Sequence, residues 1–273
     1  MNLIDSAIAD FYNGTSEDTR LHLGLGPLEF ERNKELIARH LTNTQMTIAD
    51  VGGGTGHYAK WLSGLGHNVI LVDPVEKHIK QARHRSKISK QTFKCLLGEA
   101  RMLPFSPCTF DLVILHGPLY HLQLEEDRCK ALLEARRVLK PGGVILGFAI
   151  THAASTLAAL HAGLLHRPSI FEMCKTELVN GEHHASADMP GTMPESYFHR
   201  PGSLREEFCA AGLGVYEVLA VEGMAWMDNH FFESWANPDK KQRLLQLIRL
   251  TESDPELLCF SPHIMITAGI NYS

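Results

Sequence analysis

Thr47-Ile48-Ala49-Asp50-Val51-Gly52-Gly53-Gly54-Thr55-Gly56 is the stretch on which the fold turns. A short β-branched and apolar run, Thr47 to Val51, feeds a glycine-rich loop. Tyr58 to Leu65 then reads as a helix ended by Gly64 and Gly66. Glycines suit such a loop because a side chain would collide with a ligand lying on the backbone, and because the turn calls for positive φ. A tight turn that holds nothing would use the same residues. A dinucleotide loop has the form Gly-x-Gly-x-x-Gly, and counted from Gly52 its last position is His57, so that pattern fails. Asp50, two residues before Gly52, adds a carboxylate that can receive the ammonium of an amino-acid moiety.

Outward from the loop, strands and helices alternate. Pro27 to Leu41 reads as a helix before the first strand, with Pro27 near its first turn. Val69 to Val72 is a continuous apolar run, as in a strand buried on both faces, and Asp73-Pro74 closes it. A charged helix from Val75 to about Ser86, strands Thr92 to Leu97 and Phe110 to Leu115, and a helix Glu125 to Leu139 follow. Lys140-Pro141-Gly142-Gly143 is expected to stop that helix in a tight reversal before a fifth strand, Val144 to Ile150. Strands alternating with helices imply an α/β, doubly wound parallel sheet. Beyond Ile150 the rhythm breaks. Thr151 to His199 offers alanine-rich helical turns and a polar loop with no strand of clear period, and is expected to lie over the carboxyl edge of the sheet. A helix Pro201 to Ala211, a strand Gly214 to Val221, a helix Pro238 to Thr251 and a strand His263 to Ala268 complete the chain. With no internal repeat, residues 1–273 read as one domain: a helical cap (1–45), a ligand-binding core (46–150), a helical lid (151–200) and a closing segment (201–273).

The composition narrows the function. The chain has 273 residues, 44% hydrophobic and 21% charged, with a formal net charge of −5. An acidic balance opposes broad contact with a phosphate backbone, and the basic stretch Lys77 to Lys90 reads as a solvated helix face. No signal peptide or membrane-length apolar run is read, so the cytoplasm is the default and no membrane partner is expected. The six cysteines form no Cys-x-x-Cys pair, and the 16 histidines show no converging ligand spacing, so no metal is expected. Trp226, Met227, Phe231 and Phe232 read as packing.

Two further carboxylates end strands. Asp73 can accept from both hydroxyls of a ribose, or cap the helix after Pro74. Glu99, in Gly98-Glu99-Ala100, can accept from an adenine amino group. Asp50 with its glycines, Asp73, Gly98-Glu99-Ala100, Phe110-Asp111 and Leu139-Lys140-Pro141-Gly142-Gly143 resemble, in order and spacing, the class I S-adenosylmethionine-dependent methyltransferases. The likeness runs from about Arg32 to Ile150. It implies a Rossmann-like, seven-stranded sheet with an antiparallel last strand, and S-adenosylmethionine as cofactor, released as S-adenosylhomocysteine. By that likeness Asp50, Gly52, Gly53, Gly54 and Gly56 hold the methionyl part and Asp73 with Pro74 the ribose. Gly98, Glu99, Ala100 and Arg101 hold the adenine, although the family usually has Asp where this chain has Glu99. Tyr12 or Arg32 would meet the cofactor's carboxylate, and His116 and Gly117 would also touch the cofactor. Val51-Gly52-Gly53-Gly54, Gly117-Pro118-Leu119-Tyr120-His121-Leu122 and Tyr197-Phe198-His199-Arg200-Pro201 further resemble a bacterial subgroup of these enzymes, a likeness that implies no acceptor.

The acceptor side is read from residues that follow the fourth strand. Enzymes that methylate amino groups of nucleic acids and proteins often carry Asn/Asp-Pro-Pro-Tyr there, and Gly117 and Leu119 depart from it. What remains is Tyr120 and the imidazoles of His116 and His121. Histidine titrates near neutrality, so His121 is the expected base and Tyr120 its neighbour. Tyr197, His199 and Arg200, at the end of the expected lid, are candidate acceptor contacts, with Arg200 able to clamp a carboxylate or pair with Glu206 or Glu207. The leading expectation is methyl transfer to a small molecule by a monomer or homodimer without nucleic acid. An RNA or protein methyltransferase, and a non-catalytic sensor of adenosylmethionine or its product, remain open beside it. An oxidoreductase is weakened by the missing third glycine.

Overall fold

The computed structural model describes residues 11–12, 17–189 and 192–270; the part of the N-terminal cap at 1–10 and 13–16 lies outside the described residues. Seven strands form the main sheet: β1 (Thr47–Val51), β2 (Asn68–Asp73), β3 (Lys94–Leu97), β4 (Phe110–Leu115), β5 (Leu139–Ile150), β8 (Leu213–Ala220) and β9 (His263–Ile270). Their order is β3-β2-β1-β4-β5-β9-β8. The first five are parallel, and β9 enters antiparallel between β5 and β8, as the resemblance implied. A two-residue ladder, β6 (Glu182–His183) with β7 (Ser196–Tyr197), stands apart, inside a segment expected to hold no strand.

The continuous apolar runs form strands because both faces of the sheet are covered. Alternate residues enter different cores. Ala49, Val51, Val113 and Leu115 pack on one side with Ala131, Leu132 and Val138 of α6 (Glu125–Val138) and with Leu204 and Phe208 of α9 (Pro201–Ala210). Ile48, Leu71, Leu112 and Ile114 pack on the other with Leu36 and Ile37 of α2 (Gly26–Ala38), Leu62 of α3 (His57–Gly64) and Ile79 of α4 (Glu76–Lys87). Burying each such side chain contributes about 1.5–3 kcal/mol before chain entropy is counted. Trp226 and Phe231 join a smaller core, whereas Phe232 is exposed.

One boundary departs from expectation. Lys140 to Gly143 do not break the chain ahead of the fifth strand; β5 already begins at Leu139, paired with Phe110, and the register slips before Leu112 pairs with Val144. The glycines serve that bulge, with Gly142 at φ +76.

From β1 the chain winds outward through β2 and β3, then returns to place β4 and β5 on the other side of β1. The carboxyl ends of β1 and β4 therefore diverge, and the crevice they leave is where α/β sheets bind ligands.

Candidate active site

The loop after β1 is shaped by a close approach of backbones. At Gly52 (φ +76) a Cβ would stand 1.8 Å from the carbonyl oxygen of His116, the residue that follows β4. The N–H of Gly54 donates to Asp73 Oδ2 at 2.9 Å, tying the loop to the end of β2. These loops floor a cavity of about 600 Å³ at the crevice.

Two of the three expected acids, Asp73 and Glu99, line it, and all three are already partly engaged. Asp73 Oδ1 accepts from the Val75 N–H at 2.9 Å and lies 3.1 Å from His78 Nδ1; Oδ2 holds Gly54 and keeps a second lone pair toward the cavity. Glu99 Oε2 accepts from the N–H and Nε of Arg101 at 2.9 and 2.8 Å, and Arg101 also reaches Asp127 at 2.7 Å. Arg101, expected beside an adenine, thus braces the Glu99 carboxylate and ties it to Asp127. Asp50 is fully buried, with Oδ1 3.2 Å from His116 Nδ1. Gly53, Pro74, Gly98 and Ala100 line the same space.

Past β4, Gly117 (φ +103) turns the chain into the short helix α5 (Pro118–His121). The His116 ring lies between Tyr58 of α3 and Phe148 of β5, with centroids 4.4 Å away on each side. His121 Nε2 meets the Tyr12 hydroxyl at 2.7 Å. Burial, offset in part by Asp73, pushes the His121 imidazole down to about 4. Among the described residues, Asp50 Oδ2, His78 Nε2, His116 Nε2 and His121 Nδ1 are buried without a hydrogen-bond partner; the three histidines line the cavity, and Asp50 does not. An unpaired buried polar atom costs about 1–3 kcal/mol, a penalty that a polar ligand removes.

The far end of the cavity is charged. Glu29 of α2 takes Arg20 bidentately at 2.7 and 3.0 Å. Burial raises its carboxyl, but Arg20, His263 and His116 outweigh burial and hold it at about 2. His263, at the start of β9, meets Glu222 at 2.6 Å. Burial opposes its charge, yet Glu222 and Glu29 overcome that and raise it to about 9. Ligand atoms of Glu29, Glu222 and His263 lie within 4.8 Å of one another, and Arg20 and the imidazolium balance the two carboxylates.

Tyr120 and His121 line the cavity, but other expected site residues do not. Arg32 is fully buried elsewhere, donating to the Val221 carbonyl at 3.0 Å and to Glu252 at 2.5 Å, so it is a bracket between α2 and the closing segment rather than a cofactor contact. Tyr197 lies under the Arg128 guanidinium, 3.8 Å from its ring centroid. Arg128 takes Glu207 through Nε and Nη2, and His199 Nε2 lies 3.4 Å from the same carboxylate. Arg200 points outward and donates to the Leu178 carbonyl. Gly56 caps α3 at φ +86 and does not line the cavity. None of the described residues between 151 and 200 lines it either; the wall expected of that segment comes instead from Tyr12, Arg20, Leu21, Glu29 and Asn33. Of these only Tyr12 was expected at the site; Arg20, Leu21, Glu29 and Asn33, with Tyr58, His78 and His263, went unread in the sequence. One signal was present: Glu29 and Asn33 are polar positions four apart on a helix whose neighbours Leu28, Leu36 and Ile37 are core.

Residues 49–147 match the family described as methyltransferase domain. A ubiquinone/menaquinone biosynthesis C-methyltransferase of Paracoccus denitrificans is 34% identical over 103 residues, 36% of this chain and 40% of that one. A malonyl-[acyl-carrier protein] O-methyltransferase of Erwinia pyrifoliae is 30% identical over 129 residues, 46% of each. The chain thus spans less than half the length of these curated relatives. A solved S-adenosylmethionine-dependent methyltransferase of Methanosarcina mazei shares the fold, with a TM-score of 0.60 at 17% identity, covering 87% of this chain and 98% of that one.

Proposed function

We propose that this chain, whose methyltransferase domain belongs to the class I S-adenosylmethionine-dependent type, transfers the methyl group of that cofactor to a small-molecule acceptor. The observation that carries the proposal is the meeting of Asp73 and Glu99, each at or just beyond the end of a parallel strand, on one glycine-floored cavity. The open lone pair of Asp73 suits a ribose hydroxyl, and Glu99 with Ala100 the adenine edge, whereas Asp50, expected at the cofactor's ammonium, is fully buried off the cavity and touches its wall through His116. When bound, the cofactor supplies an electrophilic methyl on sulfonium, so the protein's task is to align the acceptor with that carbon and exclude water.

A volume of about 600 Å³ is that of a small-ligand site, and a bound cofactor would occupy much of it. The remainder, walled by Tyr120, His121 and the charged end at Arg20 and Glu29, fits a compact polar acceptor. The net charge of −5 weighs against RNA as the acceptor. The test is incubation with methyl-labelled adenosylmethionine and a cell metabolite extract, followed by identification of the labelled product. Label in a small molecule is the expected outcome; label confined to added RNA or protein, or none at all, would refute it.

A further inference from the structure

We propose that His116, held by Asp50, is the proton acceptor of this site, and that the methyl acceptor is therefore a group that loses a proton on methylation: a hydroxyl, a phenol or a ring N–H. The inference rests on the methyltransferase reading above and assigns the base to a different residue from the one the sequence suggested.

The geometry around His116 is that of an oriented base. The Tyr58 and Phe148 rings lie nearly parallel to it, at 20° and 24°, and fix its plane. A buried carboxylate can only accept, so Asp50 at 3.2 Å selects the tautomer with the proton on Nδ1. That leaves Nε2 as a lone pair, and among the described residues no group donates to it. His121 is the poorer candidate: its Nε2 is engaged by Tyr12, and burial leaves it a weak base.

In the transfer, the acceptor's lone pair forms the bond to the methyl carbon while the carbon–sulfur bond breaks onto sulfur. The acceptor's proton passes to His116 Nε2 and afterwards to water. The imidazolium faces the Asp50 carboxylate of β1 and lies within the electrostatic reach of Glu29 of α2, which its cationic neighbours hold at about 2; Tyr58 of α3 stays a neutral phenol, because burial lifts it well above its usual range. Two carboxylates thus stabilise the protonated ring, and the stacked slot prevents it from turning away.

The test compares the unaltered protein with His116→Asn and His116→Ala, using methyl-labelled adenosylmethionine with a metabolite extract, and adenosylhomocysteine binding by calorimetry. Asn keeps a donor where Nδ1 stands and removes only the far nitrogen. The expected result is a loss of about 10²–10⁴-fold in labelled product with adenosylhomocysteine affinity retained, and restoration of His116→Ala by free imidazole filling the slot between Tyr58 and Phe148. Transfer unchanged in His116→Asn, transfer and affinity lost by one factor, no rescue by imidazole, or a product methylated on an atom that carried no proton would each overturn the assignment. If the unaltered protein binds adenosylhomocysteine yet labels nothing, methyl transfer itself fails and the base with it. That case is told apart from failure of His116 alone, in which the unaltered protein and the variant label equally.

Discussion

The Tyr12 hydroxyl and His121 Nε2 stand 2.7 Å apart, joining the N-terminal segment to the short helix after β4 across the wall of the cavity. The bond seats an imidazole where burial holds it at about 4. An unfolded histidine binds its proton near 6.5, so between these values the unfolded chain carries more protons than the native one. Stability contributed by His121 is thus present above about pH 6.5 and is lost on acidification toward pH 4. The expected loss is about 1–3 kcal/mol, read by urea unfolding across that range. His121→Gln should flatten this part of the profile; an unchanged slope in the variant would refute the linkage.

His263 supplies the opposite sign. Glu222 and Glu29 raise it to about 9 against the cost of burial, so the native state holds a proton that the unfolded chain releases above 6.5. Its contribution is complete below pH 6.5 and disappears as the pH rises through 9. Unfolding midpoints should therefore fall between pH 6.5 and 9.5 by about 1–3 kcal/mol, and much less in His263→Gln. A variant that keeps the same alkaline decline would place the cause elsewhere.

Asp73 should set cofactor affinity more than any other single acid. Its carboxylate braces Gly54 and Val75 and keeps a lone pair for a ribose hydroxyl. Asp73→Asn turns one acceptor into a donor facing backbone N–H groups. An adenosylhomocysteine affinity about 10–100-fold weaker by calorimetry is the expected outcome, from about 1.5–3 kcal/mol of charge-assisted bonding. Unaltered affinity would remove Asp73 from the cofactor site.

How much of this was legible follows from the range of the forces. The core strands could be read because burial on both sheet faces imposes unbroken apolar runs, such as Phe110 to Leu115. Asp50, Asp73 and Glu99 could be read because the chain itself places each at or next to a strand end. The charged end of the cavity could not: Glu29, His263 and Glu222 come from distant segments, and only tertiary packing sets them together. Tyr197 and His199 misled for the same reason, since their partners Arg128 and Glu207 lie on two other helices.

Gly52 is where the fold leaves least room. A methyl at this position would meet the His116 carbonyl at 1.8 Å, in a backbone at φ +76 that side chains avoid. Gly52→Ala must therefore push the β1 loop and the β4 end apart, at a cost of about 1–3 kcal/mol or more. Adenosylhomocysteine affinity should fall with it, because the loop floors the cavity. Gly142→Ala shares φ +76 but meets no atom within 4 Å, so it should cost less and leave affinity untouched. Equal effects at the two positions would show that strain in φ, and not the approach to His116, is what Gly52 relieves.

Arg32 separates a fold role from a ligand role. Its guanidinium is fully buried between the Val221 carbonyl and Glu252, and Arg39 reaches the same carboxylate at 2.6 Å. Removing one member of a buried pair leaves the other charge uncompensated, so Arg32→Met should destabilise the protein by about 3–5 kcal/mol. Arg39 limits that loss, because Glu252 retains one cation. The cavity proposed for the cofactor lacks Arg32 on its wall, so adenosylhomocysteine should bind the folded variant as it binds the unaltered protein. If affinity instead fell tenfold or more while stability held, on the order of the 1.4 kcal/mol of a lost charge-assisted contact, Arg32 would have to reach the ligand. The bracket between α2 and the closing segment would then be one of two arrangements of this side chain.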